Sequence, residues 1–228
     1  MVERPRVFLS YSTKDKVLAR QIKIHISRKG YSVFLAHEDL KISQEWISEI
    51  RKELRLCDVY VALLTENFRK SEWTDQEAGY ALSRSKRKEK KCVILPITVH
   101  PIKSPHGFLK AFQALRLKTD DIEGTCHLAA RELDDKLGLK EQHQDQLIEK
   151  FLQSGSFQLA KRNFRELTEH QPFSAEQMER IMTAALENNQ TQLPELLSPM
   201  RDLVAANRSV SKTKKEQFIE QFRRLTAW

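Results

Sequence analysis

Trp73 and Glu77 stand four residues apart in a stretch with helical patterning, which places them one turn apart on a single face. Tyr80 and Ala81 follow Glu77 at the third and fourth positions, so no cation sits where a routine helix ion pair would place one. A carboxylate in that setting can hold hydroxyl groups or steady a centre that becomes positive during a reaction. The plain alternative is an ordinary glutamate on a helix surface, and Trp73 reads equally as helix–sheet packing or as one wall of a binding site. Other combinations carry less. His37-Glu38-Asp39 is rich in metal-binding types, but adjacent loop residues do not by themselves converge on an ion, and no metal is expected. The chain has neither a P-loop nor a Gly-x-Ser-x-Gly elbow, and the fingerprint glycines of a hydride-transferring dehydrogenase are missing after the first strand.

The elements that must position such a pair alternate between strand and helix patterns, which predicts a parallel sheet covered by helices. Val7 to Tyr11 is a short apolar strand. Ser12, with Asp15 three residues on, is expected to cap a helix carrying Leu18, Ile22 and Ile26, closed by Gly30. Tyr31 to Leu35 reads as a second strand and Ala36 to Ile42 as an exposed loop. Ser43 then starts a helix with Trp46, Ile47, Ile50 and Leu54 on one face. Val59 to Leu64 is almost wholly apolar, as expected of a strand buried on both sides. A helix over 71–85, a strand over Val93 to Ile97, an irregular stretch over 101–117 and a helix over 119–137 complete a five-strand, five-helix domain near residue 138. From Glu141 onward only helical periodicity remains, with candidate helices at 145–152, 156–168, 174–187, 193–206 and 212–225. The expected organisation is therefore a sheet domain over 1–138 and an all-helical domain over 141–228. In the second, Leu147, Phe151, Phe157, Phe164, Leu167, Met178, Ile181 and Leu186 read as core.

The composition, 40% hydrophobic and 31% charged over 228 residues, is that of a folded globular chain. Cys57, Cys92 and Cys126 are too few and scattered for a disulfide framework, and no Cys-x-x-Cys pair suggests zinc or redox chemistry. A reducing cytoplasm fits best. No segment has the roughly 20 apolar residues of a membrane span, nor a secretory h-region. The net charge of +8 falls almost entirely on the first 144 residues. Much of it lies in one run, Arg84, Lys86, Arg87, Lys88, Lys90 and Lys91, which reads first as a solvated helix end and second as an anion-attracting patch. No aromatics interleave with it, so nucleic acid is not indicated.

In an open α/β sheet, ligands bind outside the carboxyl ends of the strands. Three segments lie at that edge here: Ser10 to Asp15, Phe34 to Trp46 and Thr65 to Glu77. Phe8-Leu9-Ser10-Tyr11-Ser12 resembles the first-strand box of TIR (Toll/interleukin-1 receptor) domains, in particular the bacterial branch. Val33 to Leu40 with Glu45-Trp46 resembles that family's "BB loop", and Cys57 to Phe68 with Ser71 to Gly79 resembles its third strand and third helix. The likeness covers residues 5 to 138 in order, and leaves the helical module unassigned.

The resemblance implies a flavodoxin-like five-stranded parallel sheet with helices on both faces. It also implies an NAD⁺ hydrolase or ADP-ribosyl cyclase that cleaves the nicotinamide–ribose bond, with NAD⁺ as substrate and no cofactor. The family's Trp-x-x-x-Glu arrangement maps onto Trp73 and Glu77, Glu77 being the catalytic carboxylate. The substrate-binding residues it implies are Tyr11, Ser12, Phe34, Ala36, Trp46 and Trp73. The first loop lacks the arginines some members carry, with Lys14 the candidate substitute, and the loop over Ala36 to Ser43 lacks the family's common glycine. Self-association through TIR domains, an antiphage or immune role and a separate downstream effector follow as expectations from the family alone. The competing expectation is a non-catalytic TIR adaptor or virulence effector acting by homotypic assembly.

Overall fold

The computed structural model describes residues 4–35, 45–86 and 91–226, with Glu45 and Trp46 described in backbone only. The chain divides into two compact units, Met1–Leu137 and Gly138–Trp228. The first holds strands β1 (Arg6–Ser10), β2 (Ser32–Leu35), β3 (Val59–Leu64), β4 (Val93–Val99) and β5 (Leu115–Leu117). These form one sheet in the order β2-β1-β3-β4-β5, every neighbouring pair parallel. That is the flavodoxin-like order, with its topological switch between β1 and β3. All six residues of β3 are buried, as a near-continuous apolar run demands of a strand covered on both faces.

Helices α1 (Lys16–Arg28), α2 (Glu45–Leu56), α3 (Glu72–Ser85) and α4 (Ile122–Leu137) belong to this unit. Strand alternation sorts the core into two layers. Leu9, Val61 and Leu95 pack with Ala19, Ile22, Ile26, Ala129 and Leu133 of α1 and α4. Phe8, Tyr60, Ala62 and Ile94 pack with Ile50 and Leu54 of α2 and Ala78 and Ala81 of α3. Among the described residues there are four α-helices in this unit rather than five. The stretch over 101–117, which offered no readable pattern, contains the 3-10 turn Gly107–Ala111 and the three-residue β5. A strand that short has no period to detect.

Two local details depart from expectation. Ser12 caps nothing with its side chain; a 3-10 turn over Thr13–Asp15 precedes α1, held by the Asp15 amide donating to the Ser12 carbonyl at 2.7 Å. Gly30 does close α1, at φ +96°, a conformation that costs glycine least. Arg84, read as part of a solvated basic end, is 3% exposed, and its Nη1 donates to the carbonyls of Leu54 and Cys57 at 2.7 Å each. Those carbonyls lie in and just after the last turn of α2, where helical acceptors run out.

The second unit consists of α5 (Lys140–Leu152), α6 (Phe157–Thr168), α7 (Ala175–Glu187), α8 (Pro194–Ala206) and α9 (Lys212–Thr226). Leu147, Phe151, Phe164, Leu167, Met178 and Ile181 form its core with Leu186 packed against them. Phe157 is the exception, 51% exposed in the first turn of α6. Ser174 and Gln177 make a reciprocal capping box at the start of α7, satisfying two orphan donors.

Candidate active site

Ser10 is the last residue of β1 and points to the α2/α3 side of the sheet, the side of Phe8 and Tyr60. Its hydroxyl donates to Glu77 Oε2 at 2.5 Å, across 67 residues of chain. Glu77 lies in the second turn of α3 and is 3% exposed, so it is not a helix-surface glutamate. Its other oxygen, Oε1, is buried with no hydrogen-bond partner among the described residues. Burial pushes the Glu77 pKa up to about 7, with the Ser10 hydrogen bond pulling the other way. The Tyr60 phenol adjoins the pair: burial first and the Glu77 charge second raise its pKa well above the ordinary value. The carboxyl therefore sits at the carboxyl end of β1, beside β3, at the switch point of the sheet.

The loops around this edge are tied together. Asp15 Oδ2 accepts from the Thr65 hydroxyl at 2.6 Å and Oδ1 from Asn67 Nδ2 at 2.8 Å, joining the segment after β1 to the segment after β3. Thr65 Oγ1 in turn accepts from the Phe68 amide at 3.0 Å. Thr74, in the first turn of α3 and fully buried, has its hydroxyl 2.8 Å from the carbonyls of both Phe68 and Ser71. A chain of side-chain bonds thus runs from the β1 edge to the start of the helix that carries Glu77.

The other residues named from the sequence fall as follows. Trp73 stands one turn before Glu77 and is 39% exposed, so part of its ring faces solvent at that edge. Phe34, in β2, is half-buried and stacks obliquely on Phe8 with ring centroids 5.4 Å apart, on the Glu77 side of the sheet. Ser12 is nearly buried just before the 3-10 turn. The Tyr11 side chain is wholly buried with Leu9, in the layer on the opposite side of the sheet, so what it can offer a ligand here is backbone. Trp46 lies in the first turn of α2. Ala36 and the His37-Glu38-Asp39 cluster lie outside the described residues, as does Lys41.

Reading residue types set Ser10, Asp15 and Asn67 in segments at this edge without their partners, and missed Tyr60 as part of the arrangement. Strand parity held the one usable signal, since residues 8 and 10 share a face and Ser10 is a hydroxyl at the end of an otherwise apolar strand. The long-range partners of Asp15 leave no trace in local spacing.

A parallel sheet in this order, with a buried carboxyl at its switch point, is the arrangement of doubly wound α/β domains, which as a class take ligands at that edge. The TIR domain family profile matches residues 7–129, more than half of the chain, and the chain belongs to that family. A similar curated protein is the "Probable 2' cyclic ADP-D-ribose synthase TcpO" of Methanobrevibacter olleyae, 26% identical over 123 residues. The alignment takes in 53% of this chain and 36% of that protein, so it spans little more than a third of the relative's length. Among the described residues no helix is long and apolar enough to cross a membrane.

Proposed function

We propose that this chain cleaves NAD⁺ between nicotinamide and ribose, with Glu77 as the carboxylate on which the reaction depends. The observation that carries the reading is the Glu77 carboxyl itself, buried at the switch point with one oxygen held by Ser10 and the other without a partner among the described residues. An unpaired buried oxygen is costly to the fold and needs a reason to be there. Nicotinamide leaves as a neutral pyridine, so little leaving-group acid catalysis is required. The site has to support the oxocarbenium-like ribose and hold its hydroxyls, which a single carboxylate can do. Ser10 fixes that carboxylate's rotation, and Trp73 and Phe34 offer aromatic surface for the nucleotide. The printed name of the archaeal relative, a synthase of a cyclic ADP-ribose, agrees with this chemistry.

The product is ADP-ribose, a cyclic isomer or another ADP-ribose conjugate, and the role we infer is NAD⁺ depletion or signal production in antiphage defence or immune signalling, in the cytoplasm, with a separate effector downstream. A pure adaptor would have no use for a buried carboxyl at this edge, which ranks that reading second. Incubation of the purified chain with NAD⁺, product identification by mass spectrometry and a Glu77→Ala control test the proposal together. Nicotinamide release by the wild type and none by the variant is expected. Equal release by both would discard Glu77 as the catalytic group.

A further inference from the structure

Cys57 follows α2 directly and Cys92 immediately precedes β4, 35 residues further on, yet their sulfurs lie 3.8 Å apart. Both are free thiols, 2% and 0% exposed. Arg84 Nη1, already bound to the Cys57 carbonyl, also lies 3.4 Å from Cys57 Sγ. The two sulfurs are not equivalent. The contact between the two sulfurs lowers the Cys57 pKa, burial opposes this, and the Arg84 guanidinium lowers it further, whereas the same contact and burial push Cys92 up. The guanidinium lies against the Cys57 sulfur, which sets Cys57 to react first and Cys92 to resolve it, the division of labour between an attacking and a resolving cysteine. A guanidinium against the pair disfavours a metal cation there.

We propose that Cys57 and Cys92 form a modification site, a dithiol that a small hydroperoxide converts reversibly to a disulfide. The Cys57 thiolate attacks the terminal peroxide oxygen, the O–O bond breaks, and with a proton taken up the other oxygen leaves as water from hydrogen peroxide or as the alcohol from an organic hydroperoxide, giving a sulfenic acid at Cys57. The Cys92 sulfur then attacks Cys57 Sγ; the S–O bond breaks, the S–S bond forms, and the hydroxyl leaves with the Cys92 proton as water. The peroxide gains two electrons, and the two sulfurs give up one each. The sulfurs have to close from 3.8 Å to about 2.05 Å, a distance that side-chain rotation and a small backbone shift can cover. In a reducing compartment such a bond is transient and returns to the dithiol when the oxidant is spent. Arg84 lies seven residues beyond Glu77 on the same buried face of α3, so the site adjoins the helix that carries the carboxyl.

Cys126 serves as an internal control: it is 1% exposed, has no thiol–thiol contact among the described residues, and burial, with Asp121 and Glu123 nearby, pushes its pKa up to about 12. The full-length protein is treated with graded hydrogen peroxide, its fold followed by circular dichroism, then alkylated under denaturing conditions and digested for mass spectrometry. Loss of two of the three free thiols is expected, recovered as a linked Cys57–Cys92 peptide while Cys126 stays alkylatable, and reversed by dithiothreitol. In Cys92→Ser, Cys57 stops at a sulfenic acid that dimedone traps; in Cys57→Ser, Cys92 stays reduced. Oxidation of Cys126 at the same rate as the pair, or no linked peptide at peroxide levels that oxidise the protein's methionines, would overturn the proposal. So would dimedone labelling of Cys92 in Cys57→Ser matching that of Cys57 in Cys92→Ser.

Discussion

Burying the Glu77 carboxyl has consequences that run in opposite directions for stability and for activity. With its pKa raised to about 7, the folded chain keeps a proton between pH ~4.5 and ~7 that the unfolded chain has released. The folded state binds more protons in that window, so this contribution is fully present below pH ~4.5 and is lost as pH rises towards 7, on the order of 3 kcal/mol in all. Glu77→Gln carries a neutral amide throughout. The stability difference, variant minus wild type, should therefore grow by about that amount between pH 4.5 and 7 in urea unfolding; a flat difference would mean that the carboxyl is not held protonated. Activity follows the opposite slope if the carboxylate is the working form. The value of kcat/KM for nicotinamide release should climb with pH through a limb near 7. Ser10→Ala removes the hydrogen bond that favours the ionised form, so the limb should move to higher pH. An unmoved limb would reduce Ser10 to packing.

At the scale of elements, the segments after β1 and β3 are held as a pair by Asp15, and α3 starts from the second of them. Asp15→Ala leaves Thr65 and Asn67 without their acceptor, which should cost about 1–3 kcal/mol in chemical denaturation and lower NAD⁺ cleavage through the displaced helix. Asp15→Asn keeps one acceptor oxygen and should recover part of both losses. Wild-type stability in Asp15→Ala would show that the bridge contributes nothing. The same residue shows where reading a sequence stops. Asp15 stands three residues after a serine, the spacing of a capping pair, but its carboxylate serves partners 50 and 52 residues away. Local periodicity carried β1 to β4 and most helices, because apolar faces repeat at 2 or 3.6 residues and the switch from one period to the other marks the boundaries. It could not carry β5, three residues long, nor the burial of Arg84, whose acceptors are carbonyls at the end of another helix. Glu77 was legible as a position on a face and by family likeness. Its partner Ser10 was hidden because the contact is tertiary, and Tyr11, one residue on, falls on the opposite side of the sheet.

For the whole molecule, the TIR unit and the helical unit each carry their own core, and the family profile ends inside the first. Glu77 is 3% exposed, so under the proposed reaction substrate would have to reach it through some rearrangement at the sheet edge. Assembly of TIR units is the event we propose for this, with the loop over residues 36–43 of one copy completing the site of another. A site shared between copies makes specific activity a property of concentration. Well below the dissociation constant of the assembly, each tenfold dilution should lower specific activity by up to about tenfold, with sedimentation reporting loss of the larger species in parallel. Reversing the charge of Asp39 or Lys41 should shift that dependence to higher protein concentration, with the far-ultraviolet spectrum recorded alongside as the check on folding. Nicotinamide release that stays proportional to protein concentration across the range in which sedimentation records only monomer would place the complete site within one chain.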